Sequence, residues 1–225
     1  MRRALGSEEL KRIYARIAKQ YDFQHSLLTA RSDQRGRRLL VDYAIREGDE
    51  ILDCGSGTGA TGILAAKKAG PRGRVTMFDL SDAMLEVARE KVIQEGLQNR
   101  VTFQVGDMVN LPFESNKFDV VLSTYSLCPL YDPQQGVLEL YRVVKPGGRV
   151  AVAHSTEARN PLVRWLGERV ENWAWRLPWL SMGCRPVDVI SALENAGGRV
   201  LISRHIGVPL WPFLVLVVEK PSIEL

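Results

Sequence analysis

The stretch Leu52-Asp53-Cys54-Gly55-Ser56-Gly57-Thr58-Gly59 decides how this chain is read. The short apolar run from Glu50 to Cys54 has the length of a buried strand, and it gives way to three glycines at alternate positions. Glycines there permit positive φ and let a ligand approach the main chain closely. An apolar helix follows from Thr61 to Ala69, stopped by Gly70-Pro71. The turn therefore opens onto a helix N-terminus, with its free N–H groups and positive dipole end. Dinucleotide-binding folds use a related turn with a GxGxxG spacing. Here the glycines stand at 55, 57 and 59, directly after Asp53. An acid at that point disfavours a pyrophosphate and suits a cationic ligand.

Outward from this turn, strands and helices alternate. Arg74 to Phe78 reads as a strand, Ala83 to Gln94 as a helix with a Gly96 stop, and Val101 to Val105 as a strand. Phe118 to Ser123 is a strand, Gln134 to Val144 a helix and Arg149 to His154 a strand. Crossovers of this size imply a parallel, doubly wound sheet with helices on both faces. Pro186 to Ala196 adds a helix, and Leu201 to His205 and Leu214 to Glu219 read as a closing pair of strands. Before the turn, residues 8 to 21 form an amphipathic helix, with Leu10, Ile13, Tyr14, Ile17 and Tyr21 on one face and Lys11, Arg12, Arg16 and Lys19 on the other. A second helix runs from Gln34 to Ile45. The chain divides into an N-terminal helical arm or lid, 1–46, and a main domain, 47–225, with a tryptophan-rich insert at about 158–185.

Composition bounds the answer. Among 225 residues 45% are hydrophobic and 25% charged, which excludes a disordered or collagen-like chain. A core of this size needs no disulfide or metal staple. Cys54, Cys128 and Cys184 are widely spaced, and no CxxC or histidine cluster points to a metal. No apolar run is long enough to cross a membrane, and the N-terminus lacks a secretory core, so a cytoplasmic location is expected. The net charge of +4 is uneven: residues 1–46 hold 11 basic and 5 acidic side chains, the remainder 19 and 21. A basic arm suits an anionic membrane surface, steers an anionic substrate, or is simply a solvated helix face. Nucleic acid is disfavoured, because the aromatics that would stack on bases cluster elsewhere.

Two more segments carry chemistry. Asp79 ends the second strand about 20 residues after the glycine turn, where a carboxylate can accept both hydroxyls of a ribose. In Gly106-Asp107-Met108, Asp107 can accept from an exocyclic amino group while Met108 packs on a purine face.

With these pieces the chain resembles class I S-adenosylmethionine-dependent methyltransferases. Asp53 to Gly59 is similar to their first motif, Asp79 to the ribose-binding acid, and Asp107-Met108 to the adenine pair. Phe118-Asp119-Val120-Val121 with Ser123, and Tyr141 to Gly148, are similar to their fourth-strand and pre-fifth-strand motifs. Ile17-Ala18-Lys19-Gln20-Tyr21-Asp22 and Asp79-Leu80-Ser81-Asp82-Ala83-Met84-Leu85 look like the ubiquinone/menaquinone-biosynthesis group. The resemblance implies an α/β Rossmann-like fold: a doubly wound, mostly parallel seven-stranded sheet with an antiparallel last strand and a helical N-terminal lid. It implies S-adenosylmethionine as cofactor, with S-adenosylhomocysteine as product. Its contacts would be Tyr21, Asp53, Gly55, Ser56, Gly57, Thr58, Gly59, Asp79, Leu80, Met84, Gly106, Asp107, Met108 and Ser123.

The acceptor stays open. Quinone C-methyltransferases carry an Arg-Asn pair after the fourth strand, where this chain has Ser126-Leu127-Cys128-Pro129-Leu130. That stretch looks more like thiol methyltransferases and bacterial phospholipid N-methyltransferases. His154, at the end of the fifth strand, is the first candidate base and Tyr125 the second, although a strand-end histidine is often only packed. Tyr14, His25, Cys128 and Trp165 are substrate-side candidates, with a wall of the pocket as the simpler role for Cys128. The expected reaction is methyl transfer to a small apolar or lipid-like acceptor. The alternatives are a phospholipid N-methyltransferase at the membrane surface and a non-catalytic cofactor-binding module.

Overall fold

The computed structural model describes residues 6–18, 20–21, 32–156, 165, 169, 189–208 and 211–222. The elements run α1 (Ser7–Ile17), α2 (Ser32–Ala44), β1 (Glu50–Cys54), α3 (Ala60–Lys68), β2 (Arg74–Asp79), α4 (Asp82–Gln94), β3 (Val101–Val105), β4 (Phe118–Thr124), α5 (Pro133–Val143), β5 (Val144–Ser155), α6 (Ile190–Asn195), β6 (Arg199–Val208) and β7 (Trp211–Glu219). The sheet has seven strands in the order β3-β2-β1-β4-β5-β7-β6. The first five pair in parallel, and β7 is antiparallel to both β5 and β6. This is the doubly wound, mostly parallel architecture expected from the alternation of elements.

Both faces of the sheet are covered, and the two-residue period decides which side chain goes where. Ile51, Met77, Val120, Leu122, Ala151 and Ala153 face a core with Leu40, Val41 and Ala44 of α2 and Ala65 and Ala66 of α3. Leu52, Cys54, Phe78, Val121, Val150 and Val152 face the other core, with Val137 and Leu140 of α5 and Leu193 of α6. α5 starts where Asp132 accepts from the Gln135 N–H at 3.0 Å and Pro133 supplies the first helical residue.

Two boundaries differ from the sequence reading. β5 begins at Val144, because Phe118 pairs with Val144 and Val120 with Arg149, and Lys145 to Gly148 bulge out between them. β6 extends over Arg199–Val208, through an irregularity between Val200 and Ile202. The arm also divides. α2 packs on α3, β5, β6 and β7 as part of the main body, whereas α1 lies against α4. Sequence boundaries placed both helices in the lid; the apolar stripe of α2 is what binds it to the sheet.

At the amino ends of the strands, Arg149 pairs with Asp49 at 3.2 Å and Lys145 with Asp119 at 2.9 Å. The sheet reverses its winding between β1 and β4, so the carboxyl ends of these strands open a crevice where such folds bind ligands. No described helix is long and apolar enough to cross a membrane.

Candidate active site

A cleft enclosing about 630 Å³, part of it open to solvent, lies over that crevice. The glycine turn forms its base. Gly55 has φ +71°, and its N–H donates to the Phe78 carbonyl at 2.7 Å. A side chain at Gly55 would overlap that of Ser126, so this glycine is needed for packing. Gly57 has φ +54°, and a Cβ there would meet nothing within 4 Å. Its bare main chain therefore fronts open space.

Asp79 stands at the end of β2. Its Oδ2 accepts the Gly57 N–H at 2.8 Å and its Oδ1 the Ser81 N–H at 2.9 Å. Enclosure raises its carboxyl above the usual range, and these backbone donors partly offset that. The Leu80 backbone is a third neighbour of the carboxylate, whose remaining acceptor capacity faces the cleft. Asp107 follows β3. Its Oδ1 accepts the Val109 N–H at 3.1 Å, and its Oδ2 accepts the Tyr131 hydroxyl at 3.2 Å. The loop carrying Asp107 and Met108 is anchored from α5. Glu139 accepts the Leu111 N–H at 2.8 Å, and Arg142 grips Glu139 through two nitrogens while donating to the Leu111 and Phe113 carbonyls.

Of the residues singled out in the sequence, Tyr14, Tyr21, Gly55, Gly57, Asp79, Leu80, Met84, Gly106, Asp107, Met108 and Tyr125 line the cleft together. The rings of Tyr14 and Tyr21 meet edge to face, with centroids 6.1 Å apart. Ser56, Thr58 and Gly59 are buried behind the turn. Asp53 is wholly buried and does not line the cleft. Burial lifts its carboxyl to about 7, opposed by the Arg37 charge and the Gly62 backbone, while Asp79 pushes it further up. On β1 it shares the face of Ile51, toward α3, and not the side of the ligand space. Ser123 is also buried, its Oγ 2.7 Å from that of Ser126.

The base candidates sit differently from the expectation. His154 is 1% exposed and is not among the described lining residues. Tyr125 lines the cleft, but its hydroxyl donates to the Asp33 carbonyl at 3.3 Å and burial raises its pKa. Its φ is +59°, held by an N–H bond to the Ala153 carbonyl at 2.7 Å. Cys128 is buried, with its thiol toward the Tyr125 carbonyl. Trp165 is exposed, with the Arg169 guanidinium 4.7 Å from its ring. His25 and the remaining insert tryptophans lie outside the described residues. On the exposed face of α1, Glu8 and Glu9 accompany Lys11, Arg12 and Arg16, which dilutes the basic stripe.

Leu10, Phe78, Thr124, Ser126, Pro129 and Leu130 line the cleft as well. Sequence reasoning did not single out Leu10, Phe78 or Ser126 as site residues, nor Arg37. The signal for Arg37 was present: with Asp33, Leu40, Val41 and Ala44 it falls on one helical stripe.

The sequence profile of the ubiE/COQ5 methyltransferase family matches residues 2–180. The chain belongs to that family. Among relatives of this ubiE/COQ5 member, the "Ubiquinone/menaquinone biosynthesis C-methyltransferase UbiE" of Ectopseudomonas mendocina is 30% identical over 70% of the chain. The "Demethylmenaquinone methyltransferase" of Lactobacillus johnsonii is 31% identical over 68% of it. The aligned stretch spans 62% and 63% of those relatives' own lengths. A crystal structure of the [4+2]-cyclase SpnF superposes with a TM-score of 0.75, covering 98% of each chain at 17% identity. That likeness shows the fold alone, and the neighbour's name is that of a cyclase.

The site fits the cofactor that the family implies. Open main chain at Gly57, spare acceptor capacity on Asp79, and an anchored carboxylate beside buried Met108 suit a ribose and an amino-bearing purine. Among the described residues no cluster of His, Cys, Asp or Glu could hold a metal ion.

Proposed function

We propose that this ubiE/COQ5 family member transfers a methyl group from S-adenosylmethionine, leaving S-adenosylhomocysteine, to a small apolar acceptor of the quinone class. The observation that carries the reading is the placement of Asp79 and Asp107 in one cleft whose other lining includes Leu10, Tyr14, Tyr21, Pro129 and Leu130. The names of the two relatives supply the acceptor class.

When bound, S-adenosylmethionine supplies a methyl group already activated by a sulfonium leaving group. The chain's own residues orient and enclose. Asp79 receives the ribose hydroxyls through its spare lone pairs, and Asp107 receives the amino group of the base. Met108 would border the purine, and Leu10, Tyr14 and Tyr21, which also line the cleft, would exclude water. Thr124, Tyr125 and Ser126 bound the end beyond β4, where the acceptor docks by apolar contact with Pro129 and Leu130. Alignment of two bound reactants contributes up to about 7–11 kcal/mol of barrier reduction.

Calorimetric titration with S-adenosylhomocysteine tests the cofactor first; a folded protein that ignores it sinks the reading. Labelled S-adenosylmethionine is then offered with a prenylated hydroquinone, a small thiol and phosphatidylethanolamine vesicles. Label is expected in the hydroquinone. Label in the phospholipid alone moves the function to the membrane headgroup, and binding without any transfer leaves a cofactor-binding module.

A further inference from the structure

Arg37 lies on α2, outside the cleft lining, yet its side chain reaches two elements that frame the cleft. Its Nη1 donates to Oγ1 of Thr61 at 2.7 Å and to Oγ1 of Thr124 at 2.8 Å. Those two hydroxyls are themselves 2.8 Å apart, so three atoms close a triangle. Thr61 is in the first turn of α3, directly after the glycine turn, and Thr124 ends β4 and lines the cleft. The guanidinium carbon also lies 5.0 Å from the centre of the Tyr125 ring, and Nε faces Asp33 at 3.9 Å.

The same group answers a second need. Asp53 is wholly buried, and neither of its oxygens has a hydrogen bond of ordinary geometry. Arg37 is the positive charge that acts on it from α2; the Gly62 backbone faces it from α3 and the Asp79 carboxylate from β2. On β1 itself, the Cys54 thiol is driven up by its own burial and by Asp53. An unpaired buried carboxylate is costly, and removing the cation that balances it is more disruptive than removing a solvated one.

We propose that Arg37 is a positioning residue for the cofactor cleft: one guanidinium nitrogen ties the helix of the glycine turn to the end of β4. The inference rests on the cofactor reading above. A planar guanidinium offers donors in fixed geometry, and a fully satisfied buried network specifies one arrangement of its members. The two sides of the sheet's switch point are thus set relative to each other by a residue outside the cleft lining.

The test uses the full chain with Arg37→Met, Arg37→Lys and Thr124→Val. S-adenosylhomocysteine affinity is measured by calorimetry at pH 7.5, and thermal unfolding is followed from pH 5 to 9. Arg37→Met is expected to bind about tenfold more weakly or worse, as for loss of hydrogen bonds from a charged donor. Its stability should go on falling with pH above 7, because Asp53 loses the charge that favours its ionised form. Arg37→Lys keeps the charge without the planar fork; its affinity should fall between, with the wild-type pH curve. Thr124→Val keeps the shape and removes one acceptor, so it should weaken binding several-fold without moving that curve. A purely structural Arg37 predicts uniform loss of stability at every pH and wild-type affinity in the variants below their melting temperatures, and that result overturns the proposal. Should Arg37→Met not fold, Thr124→Val at wild-type affinity does the same. If the wild-type protein fails to bind S-adenosylhomocysteine, the cofactor reading falls and takes this inference with it. If the wild type binds and the variants bind equally well, only this inference falls.

Discussion

The N–H of Gly57 donates to Oδ2 of Asp79 across 2.8 Å, tying the tip of the glycine turn to the end of the neighbouring strand without any ligand. The carboxylate therefore has two duties: it fixes the turn, and it offers its remaining lone pairs to the cleft. Asp79→Asn must present an amide N–H₂ to either Gly57 or Ser81, both of which are donors. Loss of about 1.5–3 kcal/mol in S-adenosylhomocysteine binding is expected from the lost charged acceptor. Calorimetry on the folded variant checks it.

Gly55 and Gly57 should separate stability from binding. Alanine at Gly55 combines the left-handed φ of +71° with overlap on Ser126 and an approach to Met108 of 3.0 Å, so a loss of about 3 kcal/mol or more is expected. Alanine at Gly57 carries only the backbone penalty of about 1–2 kcal/mol, since nothing lies within 4 Å of its Cβ. Its methyl group would enter the open space at the base of the cleft, and under the proposed cofactor reading affinity should drop about tenfold or more. Melting curves and titrations on the same two samples decide this.

Asp53 gives the protein a pH signature. Its carboxyl lies near 7 in the fold, mainly through burial, against 3.8 for an ordinary aspartate. Between about pH 4 and 7 the native state keeps a proton that the unfolded chain has released, so stability falls as pH rises through that window and levels off above it. At about 1.4 kcal/mol per unit of difference, the fall reaches up to about 4 kcal/mol. Denaturant melts of wild type and Asp53→Asn check the sign: the variant's curve should be flatter across the window.

Tyr125→Phe removes one hydroxyl whose described hydrogen bond goes to the Asp33 carbonyl. A stability loss of about 0.5–1.5 kcal/mol is expected, with kcat within about twofold of wild type. A general base would show itself by a loss of about 10²–10⁴ in rate. A pH–rate profile of the two proteins distinguishes the cases.

The fold was legible because the period of the pattern changes cleanly along the chain. Val150 and Val152 face one core and Ala151 and Ala153 the other, and α2 has its stripe at Leu40, Val41 and Ala44. Asp79 and Asp107 could be marked as facing the cleft because Asp79 ends β2 and Asp107 follows β3, both at the carboxyl ends of the strands. Asp53 could not be oriented by proximity to the turn; strand alternation sends it to the face of Ile51, beneath the glycines. Arg37 was hidden by its charge, since the bland expectation for an arginine on a surface helix is solvent. Its place on the stripe of α2 marks it as inward-facing, but its partners Thr61 and Thr124 are far away in sequence and only the folded contacts reveal them.

The strand order carries a consequence for how the molecule comes to exist. β7 lies between β5 and β6, although β6 is synthesised first. While the chain emerges from the ribosome, β6 lacks its native partner and the outer side of β5 stays open until Trp211–Glu219 appears. Phe213, which meets the Tyr125 ring at 5.2 Å, arrives with that same strand. A nascent chain stopped before it holds the glycine turn, Asp79 and Asp107, but has a raw sheet edge of the kind that chaperones and proteases recognise. Closing the edge of β5 and seating Phe213 against Tyr125 are therefore the work of one and the same strand.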